Sequence, residues 1–180
     1  MSTNPSFIQG PLELRVAEIE GATRQISNRF PEASASDILT LRLLMLLGRE
    51  MSSLLENALR PHDLNDTDFR ILICLVSQPD GVACPSDLCA FVAQSPANMT
   101  RVADALSERG LITRTTSEQD RRRTMLRITP AGEALACSLM PLVLGVMHGV
   151  YGDMPNASRR SLLDLLRQLT AQMDRRDPPR

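Results

Sequence analysis

Seven arginines fall between positions 95 and 129, at 101, 109, 114, 121, 122, 123 and 127, against four acids at 104, 108, 118 and 120. That window carries +3, while the remaining 145 residues carry −4. The guanidinium is a planar fork of donors that matches phosphate oxygens and the guanine edge. Positive charge gathered on one stretch of an otherwise acidic chain predicts a surface for a polyanion. Ser95, Asn98, Thr100 and Arg101 stand at the start of a predicted helix. Short polar side chains and an arginine there reach base edges or phosphates in a major groove. The backbone N–H groups at that end favour a phosphate through the helix dipole. Arg121, Arg122 and Arg123 suit a narrow minor groove, and Asp120 beside them reads as a brace for a neighbouring arginine. The DNA-contacting set expected from this pattern is Ser86, Ser95, Ala97, Asn98, Thr100, Arg101, Arg114, Arg121, Arg122 and Arg123.

Other chemistries find less support. Cysteines stand at 74, 84, 89 and 137 with no Cys-x-x-Cys pair, and His62 and His148 are far apart, a poor zinc set. No metal or other cofactor is expected. Cys74 lies in an apolar run and reads as a buried small hydrophobe, whereas Cys84 and Cys89 flank a short predicted helix, where a thiol redox sensor is an alternative reading. The chain shows no nucleophile elbow, phosphate loop or clustered carboxylates, so it is not read as an enzyme.

The elements that must position these residues are mostly helical. Leu12, Val16, Ile19 and Ile26 mark a first helix that Phe30-Pro31 ends. A second runs from about Asp37 to Leu59, apolar on two sides, so that one side needs a cover beyond its own core. Asn65 and Asp68 open a third as a relaxed capping box, with Phe69, Leu72, Ile73 and Val76 inward. Pro85 opens a short helix with Leu88, Phe91 and Val92 inward, and after a break at Ala93-Gln94, Ser95 and Pro96 open another that Gly110 closes. Two helices so tightly joined form a helix-turn-helix. Residues 111–116 and 124–129 alternate around a charged tip and predict a β-hairpin. A helix-turn-helix followed at once by a hairpin is a winged helix. Thr129-Pro130 starts a long apolar helix, and a last one runs from Ser158 to about Met173.

Composition agrees. With no Trp, one Tyr and four Phe, the core must be aliphatic, which suits helix packing over a β-sandwich. All 20 basic residues are arginine, which genomic base composition explains. Unbroken apolar runs such as Leu43 to Leu47 are far below the ~20 residues that span a bilayer. The first apolar stretch leads into Glu13, Arg15, Glu18 and Glu20, unlike a secretory signal. A cytoplasmic protein without membrane association is therefore expected.

Pro85-Ser86-Asp87-Leu88, Asn98-Met99-Thr100-Arg101-Val102, Leu106 through Gly110-Leu111-Ile112, and Asp120-x-Arg122 followed by Ile128-Thr129 together resemble the MarR family of bacterial winged-helix regulators, over roughly residues 36–175. The family more often has Leu where Ile128 stands. The Asn-x-Thr-Arg-Val-Ala-Asp run and the long N-terminal helix look most like its multidrug-efflux repressor branch (EmrR-like). The resemblance implies a mainly α fold with a small β-hairpin wing: a dimerisation helix (36–62), the winged helix-turn-helix (63–129) and C-terminal dimerisation helices (130–176); an N-terminal arm with an extra helix (1–35) extends beyond the family domain, and the charged, proline-bearing tail (177–180) reads as loose. It implies a homodimer on a pseudo-palindromic operator, repressing and released by a small phenolic or hydrophobic effector. Arg42, Met45, Arg49, His62 and Phe69 are the residues offered for that pocket. Control of aromatic-compound catabolism instead of efflux, a redox-sensing repressor of the same family, and a winged helix used only for protein contacts are the competing readings.

Overall fold

Caps, prolines and glycines delimit the helices almost where the sequence places them. The computed structural model describes residues 11–116 and 123–176. The chain divides into two compact units, Met1–Leu54 and Leu55–Arg180, with helix α2 (Ala35–Leu59) running through the division.

In the first unit, α1 (Leu12–Arg29) ends at Phe30, as the following proline requires. The Asp37 amide donates to the Ser34 hydroxyl at 3.3 Å, so Ser34 serves as the cap of α2. Arg15 and Glu50 form an ion pair at 2.8 Å that ties α1 to α2. The Arg15 hydrogen bond holds the Glu50 carboxyl below its ordinary range. Thr23 is buried, its hydroxyl donating to the Ile19 carbonyl one turn back. Leu46 is buried, whereas Leu41, Met45, Leu47 and Leu54 are exposed, so the two-sided apolar character of α2 survives as uncovered surface.

The second unit is built around one aliphatic core from Leu59 to Val143. Leu59, the last residue of α2, is fully buried. A 3-10 turn (Arg60–His62) follows, and Asp63 takes a left-handed φ of 54°. Helix α3 (Asp66–Ser77) opens with a complete Asn65/Asp68 capping box. Then come β1 (Val82–Ala83), α4 (Pro85–Val92), α5 (Pro96–Glu108), β2 (Ile112–Thr116), β3 (Thr124–Ile128), α6 (Pro130–Tyr151) and α7 (Asn156–Arg176). Leu88, Val92, Met99, Val102, Ala103 and Leu106 point from α4 and α5 into the core. Phe91 does not: it is 55% exposed, because Leu88 and Val92, one turn apart, take the buried line of this eight-residue helix.

The wing is a three-stranded antiparallel sheet in the order β1-β3-β2, not a bare hairpin. Val82 pairs with Arg127 and Ala83 with Leu126, while Ile112 through Thr116 pair with Ile128 through Thr124. Thr129 caps α6 and welds it to the wing root: its hydroxyl donates toward the Gly110 and Leu111 carbonyls and accepts from the Gly132 amide. Gly132 lies so close to the Leu111 carbonyl that no side chain fits there.

Helix α6 is long and apolar enough to cross a membrane by length and composition, although Glu133, Ser138, Pro141 and His148 break it into short apolar runs. Ala136, Leu139 and Val143 commit one face of it to the winged-helix core. Helix α7 has no buried residue, although Leu162, Leu163, Leu165, Leu166, Leu169 and Met173 line it.

Candidate nucleic-acid interface

Helix α5 is presented N-terminus outward by a tight turn in which Ala93 adopts a left-handed φ of 52°. Ser95 caps it, its hydroxyl accepting from the Asn98 amide at 3.3 Å. Pro96 takes the first helical position, where its missing N–H leaves no bond unmade. The polar side chains of this first turn form a chain. Gln94 Nε2 donates to Thr67 Oγ1 at 3.4 Å, fixing the turn to α3. Asn98 Nδ2 donates to Gln94 Oε1 at 2.6 Å, and Arg101 donates through Nε and Nη2 to Asn98 Oδ1 at 3.2 and 2.8 Å. Ser95, Ala97, Thr100 and Arg101 are exposed and Asn98 is half-buried. The Thr100 hydroxyl donates back to the Pro96 carbonyl, leaving its lone pairs outward, and Ala97 offers a bare methyl group of the kind that meets thymine.

The wing strands supply a second set. Arg114 on β2 is exposed and pairs with Asp104 on α5 at 2.5 Å. Asp104 is therefore a brace for a wing arginine, a role the sequence reading gave to Asp120. Asp120, Arg121 and Arg122 lie outside the described residues. Arg123, just before β3, is exposed, and its Nη2 reaches Cys84 Sγ at 3.4 Å. Ser86, also exposed, places its hydroxyl 3.1 Å from the same sulfur. The Ser86 hydrogen bond, more than the guanidinium, pulls the Cys84 thiol below its ordinary pKa against the opposing effect of burial. Cys74, inside α3, is pushed up by burial.

Two arginines of the basic window serve the fold. Arg127 Nη1 donates to the Asp80 carbonyl at 2.9 Å, and Arg109 donates to the carbonyls of His62 and Asp63. Gln94, Asp104 and Arg109 were not singled out from the sequence as positioning residues. Their partners lie 27, 10 and 46 to 47 residues away, and only folding brings them together.

Of the residues offered for an effector pocket, Arg42, Met45 and Arg49 lie in the first unit and His62 and Phe69 in the second. Arg42 is half-buried, Met45 is exposed, and Arg49 is exposed beside Glu50. His62 is exposed, and Phe69 belongs to the core of the second unit. A groove of about 500 Å³ between α5 and β2 is lined by Asp104, Ser107, Glu108, Ile112, Thr113 and Arg114, none of them from that set.

A family model described as the MarR family matches residues 64–124. The transcriptional repressor MprA of Escherichia coli strain K12 is 31% identical over 159 residues, covering 87% of this chain and 89% of that one. Among solved structures, AbsC, a MarR family transcriptional regulator from Streptomyces coelicolor, superposes with a TM-score of 0.70 at 21% identity, over 79% of this chain and 97% of its own. The S. aureus MepR-DNA complex gives a TM-score of 0.67 at 15% identity, over 73% of this chain and 96% of that one.

Proposed function

The chain belongs to the MarR family of transcription regulators, and from that premise we propose that it is a ligand-responsive repressor that binds a pseudo-palindromic operator as a homodimer. The observation that carries this reading is the first turn of α5. There Gln94, Asn98 and Arg101 are already locked into one hydrogen-bonded row beside the exposed Ala97 and Thr100. Preorganised side chains on the exposed face of a core-anchored helix suit base reading in the major groove. Arg114, Arg121, Arg122 and Arg123 supply the phosphate and minor-groove contacts, and their charge gives binding its salt dependence.

The dimer follows from what the second unit leaves uncovered. Helix α7 and the outer side of α6 expose a long aliphatic surface, with Leu142, Leu144, Met147 and Val150 on α6. Exposed patches of that kind mark an interface. A second copy covering them sets two α5 helices against successive major grooves, whose half-sites stand ~34–36 Å apart. The relative MprA is a repressor, and MepR is seen on DNA, which supports repression through operator binding. A small effector acts by binding more tightly to the arrangement that does not match the operator. Such a protein works in the cytoplasm, where its operator lies.

The test is selection of bound fragments from genomic DNA, followed by mobility-shift titration of the recovered site over a salt series. Tight binding to that site, weakening linearly in log–log form with salt and lost with Arg101→Ala, is expected. Equal affinity for the selected site and random DNA overturns the reading.

A redox-responsive form of the same repressor is favoured by Cys84, whose sulfur lies against Ser86 and the wing residue Arg123. A hydroperoxide transfers its terminal oxygen to the Cys84 thiol, giving a sulfenic acid and an alcohol, and the added oxygen disturbs the contacts that Ser86 and Arg123 make with the sulfur. Wild type then releases DNA under peroxide and Cys84→Ser does not; equal release by both overturns this form.

A further inference from the structure

The residue that caps the C-terminus of α5 carries a connection that base reading does not require. Arg109 caps that helix and extends its guanidinium to the turn after α2, with Nη1 2.5 Å from the Asp63 carbonyl and Nη2 3.2 Å from the His62 carbonyl. Two charge-assisted bonds from one planar fork fix direction as well as distance. The far side of the turn is equally held. Leu59 ends α2 with no exposed surface, and the Leu64 amide donates back to its carbonyl. Asp63 between them takes the left-handed conformation that aspartate tolerates better than most non-glycine residues, closing the turn tightly. At the other end of the contact, Gly110 takes φ 69° and the Leu111 amide returns to the Leu106 carbonyl, so the end of α5 is itself a closed cap.

We infer that Arg109 is a positioning residue: a strut that fixes the aim of the recognition helix to the end of α2 and thereby sets the half-site spacing the protein accepts. The inference rests on the homodimer reading above. Helix α5 is 13 residues long, a lever of roughly 20 Å, and its reading end lies opposite the end that Arg109 holds. A small displacement of the turn at His62–Asp63 is carried to that reading end. Without the fork, α5 keeps its core contacts through Met99, Val102, Ala103 and Leu106 but loses its outside reference to α2. Arg109 is exposed, so its replacement removes the tie and leaves the core intact.

Binding of wild type, Arg109→Gln and Arg109→Lys is measured on the operator recovered by selection, on a single half-site, and on operators with one base pair added or removed between half-sites. One base pair shifts the half-sites by about 3.4 Å along the axis and rotates them, and wild type is expected to lose at least about tenfold. Arg109→Gln is expected to bind the single half-site within about twofold of wild type, with an unchanged salt slope, and to lose less than about threefold on the shifted operators. Arg109→Lys, which keeps the charge but cannot span two carbonyls, behaves like the glutamine variant. Three results overturn the inference. One is a glutamine variant as spacing-selective as wild type. Another is a glutamine variant whose salt slope falls by about one, which makes Arg109 a phosphate contact instead. The third is full rescue by lysine. A wild type that is monomeric and indifferent to spacing removes the dimer reading as well, which separates that failure from the others. Thermal unfolding of the variants within about 4 °C of wild type shows that the strut is tested in a folded protein.

Discussion

The guanidinium of Arg101 lies on the side-chain oxygen of Asn98 one turn earlier in α5, with Nη2 at 2.8 Å and Nε at 3.2 Å. Neither side chain is free to choose a base without the other. Asn98→Ala and Arg101→Ala are each expected to weaken specific binding by about 1–3 kcal/mol, with smaller effects on random DNA. The double variant should lose less than the sum, by at least about 0.5 kcal/mol, because each single change already undoes the pair. Titration on specific and random duplexes measures all four corners of the cycle; strictly additive losses mean the two residues read DNA separately.

Asp104 holds Arg114 in an exposed ion pair. Asp104→Asn removes a negative charge from the DNA side and releases the guanidinium toward phosphate. Nonspecific affinity at low salt should rise, and the slope of log affinity against log salt should steepen by about one. Stability should barely change, since exposed pairs contribute about 0–1 kcal/mol. An unchanged slope and unchanged affinity would show that Asp104 does not hold Arg114 back from phosphate.

Asp66 at the start of α3 is buried, with Oδ1 unpartnered and Oδ2 3.7 Å from Arg70. Burial raises its pKa; Arg70 pulls the other way and Glu56 adds to the rise. The folded state thus binds the proton more tightly than the unfolded chain. The penalty is fully present above the folded-state value and is relieved as pH falls through it toward the unfolded value. The melting temperature of Asp66→Asn minus that of wild type should be greatest at neutral pH and shrink through the acid range. A difference that grows on acidification contradicts a raised value.

Gly132→Ala drives a methyl group into the Leu111 carbonyl at the junction of α6 and β2. Backbone has to move at both elements, so a loss of about 3 kcal/mol or more is expected, roughly 6–12 °C in melting temperature. A variant that melts with wild type would mean the two elements separate easily in solution.

The local chemistry of α3 to α5 was legible in the chain. Asn65 with Asp68, Ser95 with Pro96, and Gly110 each carry their structural instruction within a few residues, and the helices begin and end there. Strand β1 was not legible. Two residues have no periodicity, and Val82 and Ala83 become a strand only by pairing with Arg127 and Leu126 more than forty positions on. The reading of Phe91 as core failed for a related reason. Eight residues offer one buried line, and tertiary packing assigned it to Leu88 and Val92. Among the basic residues, the sequence showed where charge gathers but not its division of labour. Arg109 and Arg127 face backbone carbonyls brought to them by the fold, whereas Arg101 and Arg114 stay exposed beside side-chain oxygens.

The aliphatic interior of the reading lobe is complete by Val143, and α7 adds nothing to it. Substitutions beyond that point escape the steric rules that govern the lobe. On the homodimer reading proposed above, natural variation in α7 can therefore retune which copies associate, and how strongly, while the residues of α5 assigned to base reading pass unchanged from one descendant to the next.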